Sequence, residues 1–563
     1  MLKPLSLLAA TLLLAACSNP LSLRQSDAIL VDQCGYAPSD EKIALLNIPG
    51  QRFAILDAQK GVVLSGNVGA PLYWPEAGDT IRQIDFSALT TEGDYTIVID
   101  DSLESYPFAI GPSVRSQALR LAARALYYNR CSMAITPELG GAWARPAGHP
   151  DTCVLVHSSA ASKARPEGFR LSLPGGWYDA GDYNKYIVNS SITTFTLLLA
   201  SNLFAPVADT LSLSIPESGN GIPDLTNETL YNLRWMLSMQ DPNDGGVYTK
   251  LTTLSFEGFI MPADCQKQRY VVQKSTAAAL DLAATAAYAV RTLPQRSPSL
   301  QALADSCKTV ALKAYAWAQA NPDILFHNPK DVSTGEYDDN ELSDEWFWAA
   351  TELWLTTGED SYAADATAHM RECFIPEWAI VCGHAYYSMV EAGKSLPGLD
   401  AKAALTAVAD SLAALDQASA ARLSMQDYLW GSNSFVANAA VLKAVAYKAS
   451  GNEAHLTSLR NDLHYLFGRN ATGYCFVTGV GTRSPLHIHH RPSAADGIDA
   501  PVPGFLAGGP NTIVPTDCGD AEPRSSFPAK AYADQECSYS TNEIAINWNA
   551  PLIFALLADL SIR

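Results

Sequence analysis

The sequence predicts a multidomain protein in which a small β-sandwich precedes a larger all-α domain built as a toroid of helical hairpins. Residues 28–111 consist of short apolar segments separated by turn residues, with no helical stretch between them. From residue 112 to residue 563, apolar residues recur at helical spacing in many successive segments. The 563-residue length exceeds one ordinary domain, and 48% hydrophobic residues can supply a sizeable core.

The composition disfavours several kinds of partner. A formal net charge of −20 argues against nucleic acid or an anionic membrane surface, because both are polyanions. Only 17% of the residues are charged, and no long run of like charges occurs. The composition is compatible with a neutral polymer as partner, which would be recognised by hydrogen bonds and stacking. Eleven tryptophans and 24 tyrosines are candidate stacking surfaces, although most aromatic side chains in any protein are core.

The N-terminus predicts export. Lys3 and the apolar run from Leu5 to Ala16 have the pattern of a signal peptide, which is too short to span a membrane as a helix. Leu14-Ala15-Ala16-Cys17 resembles a bacterial lipobox, so we expect residues 1–17 to yield a lipidated Cys17. The alternative is an ordinary signal peptide with an incidental cysteine. The expected location is a membrane surface outside the cytosol, with the outer membrane favoured, and disulfides become possible there.

The small domain follows a polar segment, residues 18–27, which predicts a flexible tether. Its apolar segments are spaced too closely for intervening helices and favour a β-sandwich of about eighty residues. The clearest predicted strands are Lys42–Asn47, Arg52–Asp57 and Tyr95–Asp100.

The large domain, residues 112–563, needs a closed arrangement to bury the apolar faces of its many amphipathic helices. A toroid of helical hairpins is one such arrangement, and its loops would form a cleft at one end. No exact internal repeat is visible, so periodicity alone does not establish the toroid. The predicted helices are Val114–Tyr128, Ser190–Leu203, Thr276–Arg291, Gln301–Gln319, Asp344–Thr357, Lys402–Ala418 and Phe435–Ala449.

Two aspartates lie in a glycine-bounded loop beside aromatic residues. The segment reads Gly175-Gly176-Trp177-Tyr178-Asp179-Ala180-Gly181-Asp182-Tyr183. Because two acids this close repel each other, at least one needs a hydrogen-bonding partner or a raised pKa. An Asp-x-x-Asp loop by itself is more often a helix cap or a calcium loop than a catalytic site.

Two later segments carry further candidate residues. The first contains Asp534 and Asn542-Glu543-Ile544-Ala545, where Glu543 has the alternative interpretation of an acid stabilised by a helix N-terminus. The second is His489-His490-Arg491. In an extended segment His489 and Arg491 point to the same side and can share a ligand's hydroxyl groups. A metal site using the neighbouring histidines is the alternative.

Together these segments closely resemble glycoside hydrolase family 9, and the resemblance covers almost the whole mature chain. The aspartate loop matches the family's Gly-Gly-Trp-Tyr-Asp-Ala-Gly-Asp segment, and the segment around Glu543 matches its acid signature. Ile29–Tyr36 is similar to the start of the immunoglobulin-like domain that precedes many of the family's catalytic domains. The resemblance implies an (α/α)6 catalytic domain that cleaves internal β-1,4-glucosidic bonds of cellulose, mixed-linkage glucan or xyloglucan.

The resemblance also implies roles for individual residues. Asp182 is expected to be the general base and Glu543 the general acid of an inverting reaction, while Asp179 helps to hold the water. Inverting enzymes keep the two carboxyl groups roughly 6.5–9.5 Å apart. Glu543 must then be protonated near neutral pH, which requires a pKa raised by burial or by a neighbouring carboxylate. His489 and Arg491 are implied to bind substrate.

Aromatic positions follow the same resemblance with two departures. Trp378 and Trp430 stand where family members place sugar-stacking aromatics, and core packing is the alternative for each. Cys475 replaces a small residue of the family signature. Trp548 stands where some members have a tyrosine near the base, which puts that orienting contact in doubt.

The chemistry implied by the resemblance requires no cofactor, but a structural metal is expected at one place. Ser343-Asp344-Glu345-Trp346 is similar to a family segment in which the two acids bind calcium. The aspartate expected after Trp378 is absent, because Ala379 stands there. Some relatives also have a zinc site before the catalytic loop. Four residues here are similar to its ligands: Cys131, His149, Cys153 and His157. Gly148, however, stands where that site requires a cysteine. We therefore expect a Cys131–Cys153 disulfide, with zinc as the alternative.

Other functions remain as alternatives. A non-catalytic glycan-binding lipoprotein would keep the tryptophans but would not need both acid motifs. An outer-membrane scaffold is less favoured. An exo-acting cellodextrinase or a hexosaminidase on the same fold is the main alternative among enzymes. Endo and exo action differ in the loops that close one end of the cleft, and these loops cannot be read from the sequence.

Overall fold

The computed structural model describes residues 23–514, 517–519 and 524–562. The predicted signal peptide and the lipidated Cys17 lie outside the described residues. Within those three ranges, no helix combines the length and the apolar character that crossing a bilayer requires.

The N-terminal domain consists of two sheets that share one core. In the first sheet the strand order is β1-β9-β8-β4-β5, with β10 also paired to β8, and in the second it is β2-β3-β7-β6. Apolar residues from both sheets, such as Phe53, Ile84 and Ile97, pack together between them. This confirms the predicted β-rich N-terminal domain. The strands are β1 (Arg24–Gln25), β2 (Ile29–Leu30), β3 (Ile43–Leu46), β4 (Arg52–Asp57), β5 (Val62–Asn67), β6 (Pro71–Trp74), β7 (Asp79–Asp85), β8 (Gly93–Ile99), β9 (Leu103–Glu104) and β10 (Phe108–Ile110).

The second domain is helical, as the sequence predicts. Its helices are α1 (Ser116–Tyr128), α2 (Pro137–Gly140), α3 (Ile187–Leu203), α4 (Ala205–Ala208), α5 (Asp224–Ser238), α6 (Thr276–Arg296), α7 (Gln301–Ala320), α8 (Ser343–Thr357), α9 (Asp360–Ala368), α10 (Cys382–Glu391), α11 (Ala401–Ala418), α12 (Ser432–Ser450), α13 (Glu453–Leu466), α14 (Arg491–Ala495), α15 (Tyr539–Asn542) and α16 (Ile546–Ser561).

The long helices form a closed double ring. Helices α3, α6, α8, α10, α12 and α16 each contact the next, and α16 returns to α3. Helices α1, α5, α7, α9, α11 and α13 pack outside them. Inner helices such as α3 and α16 are buried on nearly every side, because they contact neighbours in both rings. This arrangement is the toroid of helical hairpins expected from the sequence.

Seven helices of the second domain were predicted from the sequence, and several others were not. The seven predicted helices correspond to α1, α3, α6, α7, α8, α11 and α12. Helix α16 was missed because it is apolar all round and contains Pro551, so it shows no 3.6-residue alternation. Helices α5, α10 and α13 were also missed, and burial does not separate them from the predicted α3, which is itself buried on nearly every side.

A small sheet inside the helical domain was not predicted. Its strands have the order β12-β11-β15-β14-β13 and are only two or three residues long, too short for a recognisable alternation. They place the aspartate loop next to the segment that follows β14. The strands are β11 (Val154–Val156), β12 (Arg170–Leu171), β13 (Lys185–Tyr186), β14 (Lys250–Thr252) and β15 (Tyr270–Val271).

Buried ion pairs join the two domains. The Arg115 guanidinium lies 3.1 Å from Asp32 Oδ2 of the sandwich and 2.9 Å from Asp559 Oδ2 of α16. His464 Nδ1 lies 2.7 Å from the same Asp32 oxygen. Breaking such a network leaves uncompensated buried charge, so the sandwich is firmly docked on the helical domain.

Candidate active site

A cleft of about 730 Å³ lies at the N-terminal ends of the inner helices. Loops that lead into α3, α10, α12 and α16 provide much of its lining. Every catalytic and substrate-binding residue predicted from the sequence lines this cleft: Asp179, Asp182, Trp378, Trp430, His489, Arg491 and Glu543. The structure therefore brings together side chains that are far apart in the sequence.

Backbone hydrogen bonds tie the three predicted segments together. Arg491 N donates to Gly181 O at 3.1 Å, and Ile546 N donates to Asp179 O at 2.9 Å. His489 and Glu543 form a parallel β-bridge. A Cβ atom on Gly181 would lie 2.1 Å from His489 O and 3.1 Å from Glu543 Oε1. Only glycine at position 181 permits this close approach.

Asp182 is held by hydrogen bonds to one of its oxygens. Asn184 Nδ2 donates to Asp182 Oδ2 at 2.5 Å, and the Tyr186 hydroxyl donates to the same oxygen at 3.3 Å. Asn184 is itself fixed, because its Oδ1 accepts from Thr253 N at 3.0 Å. These contacts orient the carboxylate and leave Oδ1 to face water or substrate.

Asp179 has different partners. The Tyr337 hydroxyl donates to Asp179 Oδ2 at 2.7 Å, and Asn189 Nδ2 lies 3.1 and 3.2 Å from the two oxygens. Burial is the main reason that the pKa of Asp179 is raised to about 7, and the charge on Asp182 contributes to the same shift. At least one of the two acids was expected to have a hydrogen-bonding partner or a raised pKa, and both have hydrogen-bonding partners.

Glu543 is buried beside the aspartate loop. Burial, assisted by the charge on Asp182, raises the pKa of Glu543 to about 8, while Arg491 and the Gly181 backbone oppose this shift. Glu543 is therefore largely protonated at neutral pH, as a general acid requires. Its neighbour Asn542 donates to His487 O at 2.6 Å and to Asp534 Oδ1 at 2.9 Å, which fixes the start of the segment.

His489 and Arg491 both reach the cleft, but the segment is not extended throughout. Helix α14 begins at Arg491. Arg491 Nη1 donates to Gly181 O at 2.7 Å and Nε donates to Glu257 O at 2.9 Å, so much of the guanidinium braces neighbouring loops. His489 Nδ1 lies 2.6 Å from Glu536 O, which leaves Nε2 for other contacts.

The two tryptophans are exposed to different degrees. Trp430 is 42% exposed, which favours a surface for ligand stacking over core packing. Its ring centre lies 5.4 Å from that of Tyr539, and the two rings are tilted by 43°. Trp378 is partly buried and lies edge-on to Tyr337, at 5.2 Å. Trp548 also lines the cleft.

Four residues that hold the aspartates were missed from the sequence. Asn184, Tyr186 and Asn189 follow the aspartate loop directly, so proximity in sequence offered a signal that was not used. Tyr337 lies in the segment before α8, and nothing in its local pattern distinguishes it. Trp548 stands where some family members have a tyrosine near the base. Here the hydroxyl groups of Tyr186 and Tyr337 donate to Asp182 and Asp179 instead.

Asp344 and Glu345 do not line the cleft but belong to a buried cluster of four acids. Asp344 and Glu345 lie in the first turn of α8, Asp281 comes from the inner helix α6, and Asp339 precedes α8. Six of their carboxylate oxygens are buried without a hydrogen-bond partner. Burial is the main reason that the pKa values of Asp281, Asp344 and Glu345 are raised, and repulsion among the acids adds to it.

The unpartnered atoms of this cluster are carboxylate oxygens, the kind of ligand that a hard cation prefers. Calcium binds carboxylate oxygens, and six unpartnered oxygens offer that donor set. The aspartate expected after Trp378 is absent, and Asp281 and Asp339 bring two other carboxylates to the cluster. Among the described residues, the groups whose ligand atoms lie close enough together to hold a metal ion do not include these acids.

The expected Cys131–Cys153 disulfide is wrong. Cys131 is buried, with its sulfur 3.4 Å from Asp151 Oδ2 and 3.4 Å from His149 O, whereas Cys153 is exposed. Both thiols are free because Cys131 is turned into the domain and Cys153 towards solvent. Disulfides join Cys373 to Cys382 and Cys518 to Cys537.

The alternative zinc ligands are not assembled either. His157 Nδ1 contacts Ser159 and its Nε2 lies 3.1 Å from Asp331 Oδ2. Among the described residues, the only one of the four candidates found in a potential metal-binding group is His149. Burial lowers the pKa of His149 to about 3, so its ring is neutral at physiological pH.

The sequence and the fold are both similar to those of known proteins. The model for "Glycosyl hydrolase family 9" matches residues 116–556, and that for "Cellulase N-terminal ig-like domain" matches residues 24–104. The xyloglucan-specific endo-β-1,4-glucanase BoGH9A of Bacteroides ovatus is 40% identical over 571 residues, which cover 97% of this chain and 96% of that protein. Endoglucanase D of Acetivibrio thermocellus is 32% identical, with 94% and 82% covered. The solved structure "Bacteroides ovatus GH9" has a TM-score of 0.88 at 38% identity and covers 96% of this chain and 99% of that one.

Proposed function

The chain belongs to glycosyl hydrolase family 9, and from this premise we propose that it cleaves internal β-1,4-glucosidic bonds of a β-glucan with inversion of configuration. One observation carries the proposal. At the floor of the cleft a buried glutamic acid, Glu543, has a pKa raised to about 8 and lies near the hydrogen-bonded carboxylate of Asp182. Glu543 can donate a proton, and the oriented carboxylate of Asp182 is placed to accept one.

The reaction is a single displacement. Asp182 takes a proton from a water molecule as the water oxygen forms a bond to the anomeric carbon. The bond from that carbon to the glycosidic oxygen breaks, and Glu543 gives its proton to this oxygen. Asp179, held by Tyr337 and Asn189, helps to orient the water. No covalent bond to the protein forms, so the product anomer is inverted.

The stereochemistry of the first product tests this mechanism. Proton NMR during early turnover of a β-linked glucan should show α-anomers before mutarotation. Initial β-anomers would rule out direct displacement and point to a covalent intermediate.

The aromatic side chains and one relative support a choice of polymer. We infer that sugars stack on Trp430 and Trp378, with His489 and Arg491 contacting hydroxyl groups. BoGH9A is described as xyloglucan-specific, and this chain matches nearly all of it. Ser333, Thr334 and Gly335 line one part of the cleft, and small side chains there leave room for branches on a glucan chain. Branched xyloglucan is therefore the proposed preferred substrate.

Product profiling on xyloglucan, mixed-linkage glucan and cellulose tests that preference and the mode of cleavage together. We expect the highest rate of hydrolysis on xyloglucan. The viscosity of the polymer solution should fall rapidly, because internal bonds are cut. Steady release of one short product with little viscosity change would instead indicate an exo-acting enzyme.

We also propose that the cluster of Asp281, Asp339, Asp344 and Glu345 binds a structural calcium ion. Their unpartnered oxygens supply the hard ligands, and a divalent cation would offset the repulsion that raises their pKa values. Tyr337, which orients Asp179, lies just before Asp339 in the sequence, so the ion would stabilise the segment that supports the catalytic loop. Thermal unfolding in calcium should occur at a higher temperature than in EGTA, and equal midpoints would refute the site.

We further propose that Cys17 is lipidated and anchors the exported protein to the outer membrane. The lipobox-like Leu14-Ala15-Ala16-Cys17 supports this. The predicted tether over residues 18–27 is too long at its C-terminal end, because Arg24 and Gln25 form β1 and pair with β9. Cys17→Ser should move the protein from membrane to soluble fractions with unchanged specific activity. A wild-type protein that is soluble in a lipoprotein-competent host would contradict the anchor.

A further inference from the structure

One loop at the edge of the cleft carries exposed aromatic side chains. We call residues 253–265, which follow β14, the aromatic loop. Phe256 lines the cleft, and Phe256 and Phe259 are 41% and 39% exposed. The Arg491 guanidinium lies 5.3 and 5.4 Å from the centres of these two rings and donates to the backbone carbonyl of Glu257. The position of this loop therefore affects the cleft directly.

Three potential metal ligands meet beneath the aromatic loop. Ligand atoms of His149, Glu257 and Cys265 all lie within 4.8 Å of one another. His149 and Glu257 are 6% and 9% exposed, and His149 Nε2 and Glu257 Oε1 are buried without a hydrogen-bond partner. Unsatisfied polar atoms at such depth are costly and call for an explanation.

Neighbouring contacts leave His149 Nε2 and Glu257 Oε1 available to bind a metal ion. His149 Nδ1 lies 2.9 Å from the Tyr178 hydroxyl. When Nδ1 carries the proton and donates it to that oxygen, Nε2 presents a lone pair, the arrangement that metal-ligating histidines usually show. The other oxygen of Glu257, Oε2, lies 3.6 Å from Lys267 Nζ. Glu257 Oε1 thus remains free to bind a cation.

We infer that His149, Glu257 and Cys265 bind a zinc ion that fastens the aromatic loop to the segment before the catalytic loop. Nitrogen, oxygen and thiolate ligands together suit zinc better than calcium or magnesium. Binding replaces the proton of the Cys265 thiol with the metal, so one proton is released to solvent for each zinc bound. The carboxylate and thiolate then neutralise the charge of the ion. Of the four zinc ligands considered from the sequence, only His149 also belongs to this site.

Metal binding to the full mature chain tests the inference without any glucan assay. After treatment with a chelator, the protein should bind one zinc per chain in competition with a metallochromic chelator. Cobalt(II) in place of zinc should give a thiolate-to-cobalt charge-transfer absorption band. Zinc should also slow hydrogen exchange of backbone amides in the aromatic loop.

Variants identify the ligands. Cys265→Ser should abolish the charge-transfer band and weaken zinc binding by more than the ~10–100-fold that outer contacts contribute. Glu257→Gln, which preserves volume, should also weaken binding and serves if Cys265→Ser misfolds. Cys307→Ser, at a buried cysteine of α7, and Cys153→Ser, at an exposed cysteine, are matched controls that should retain zinc.

Three results would overturn the inference. The first is a wild-type protein with no stoichiometric zinc, and the second is undiminished zinc binding by both Cys265→Ser and Glu257→Gln. The third is a Cys131–Cys265 disulfide in a non-reducing peptide map, which is possible because both residues pack in the same cluster with Tyr178 and Tyr183.

Discussion

Two groups of buried acids in the helical domain have opposite surroundings. At the floor of the cleft, hydrogen bonds from Asn184, Tyr186 and Tyr337 reach Asp182 or Asp179. In the cluster of Asp281, Asp339, Asp344 and Glu345, six oxygens have no hydrogen-bond partner. Burial raises pKa values in both groups, so burial alone does not distinguish a catalytic acid from a structural one.

The difference lies in what can compensate a negative charge. Hydrogen-bond donors orient a carboxylate and let it ionise while it stays open to substrate. Acids without donors must either hold protons or bind a cation. The first group is therefore suited to proton transfer and the second to metal binding, and each expectation can be tested by removing single carboxyl groups.

The largest effect is expected for Asp182→Ala, because it removes the base that activates water. A loss in kcat on the order of 10⁴-fold is expected with natural glucans and with aryl glycosides alike. Added azide should restore turnover by acting from the side of the water, and the product should be the glycosyl azide of inverted configuration. If Asp179→Ala were inactive while Asp182→Ala kept its activity, Asp179 would be the base.

Glu543→Ala should discriminate between substrates. Natural glucans have poor leaving groups and should lose about 10²–10⁴-fold in kcat, because the proton donor is missing. An activated aryl glucoside that the cleft accepts needs less protonation and should lose far less. Equal losses on both substrates would contradict the role of Glu543 as the acid.

Asp179→Ala should have an intermediate effect, because Asp179 positions the water without taking its proton. A reduction of about 10–10²-fold is expected on both kinds of substrate. Tyr337→Phe removes the 2.7 Å hydrogen bond to Asp179 and should produce a smaller loss in kcat with little change in KM. A Tyr337→Phe effect larger than that of Asp179→Ala would mean that the hydroxyl acts on another group.

The pH dependence of the free energy of unfolding should reflect the raised pKa of Glu543. Its folded pKa of about 8 exceeds the ordinary 4.5, so folding favours the protonated form. The resulting stability is full below about pH 4.5 and is lost as pH rises through about 8. Glu543→Gln stays neutral and should become more stable than the wild type by a few kcal/mol above pH 8, at about 1.4 kcal/mol per pKa unit. Denaturant unfolding at pH 5 and pH 9 measures this, with the exposed Glu92→Gln as control, and a pH-independent difference would contradict it.

Particular residues show how far the sequence led to this site. The aspartate loop and the segment around Glu543 could be recognised because their spacing is local. Tyr337, Asp281 and Asp339 could not, because helix packing brings them to the acids from other parts of the chain. The Cys131–Cys153 pairing failed for a related reason, since spacing along the chain does not report which way a side chain turns.

The smallest effect is expected in the acid cluster, and its sign depends on calcium. Asp281→Asn removes one carboxylate whose two oxygens have no partner. With calcium present the variant should unfold at a lower temperature than the wild type, because the ion loses a charged ligand. In EGTA it should unfold at an equal or higher temperature, because repulsion with Asp339 and Asp344 is relieved. Differential scanning calorimetry in both buffers measures the two differences, and Asp305→Asn, an exposed position on α7, should change neither. A variant that is less stable by the same amount in both buffers would show that Asp281 supports the fold through packing and not through a cation.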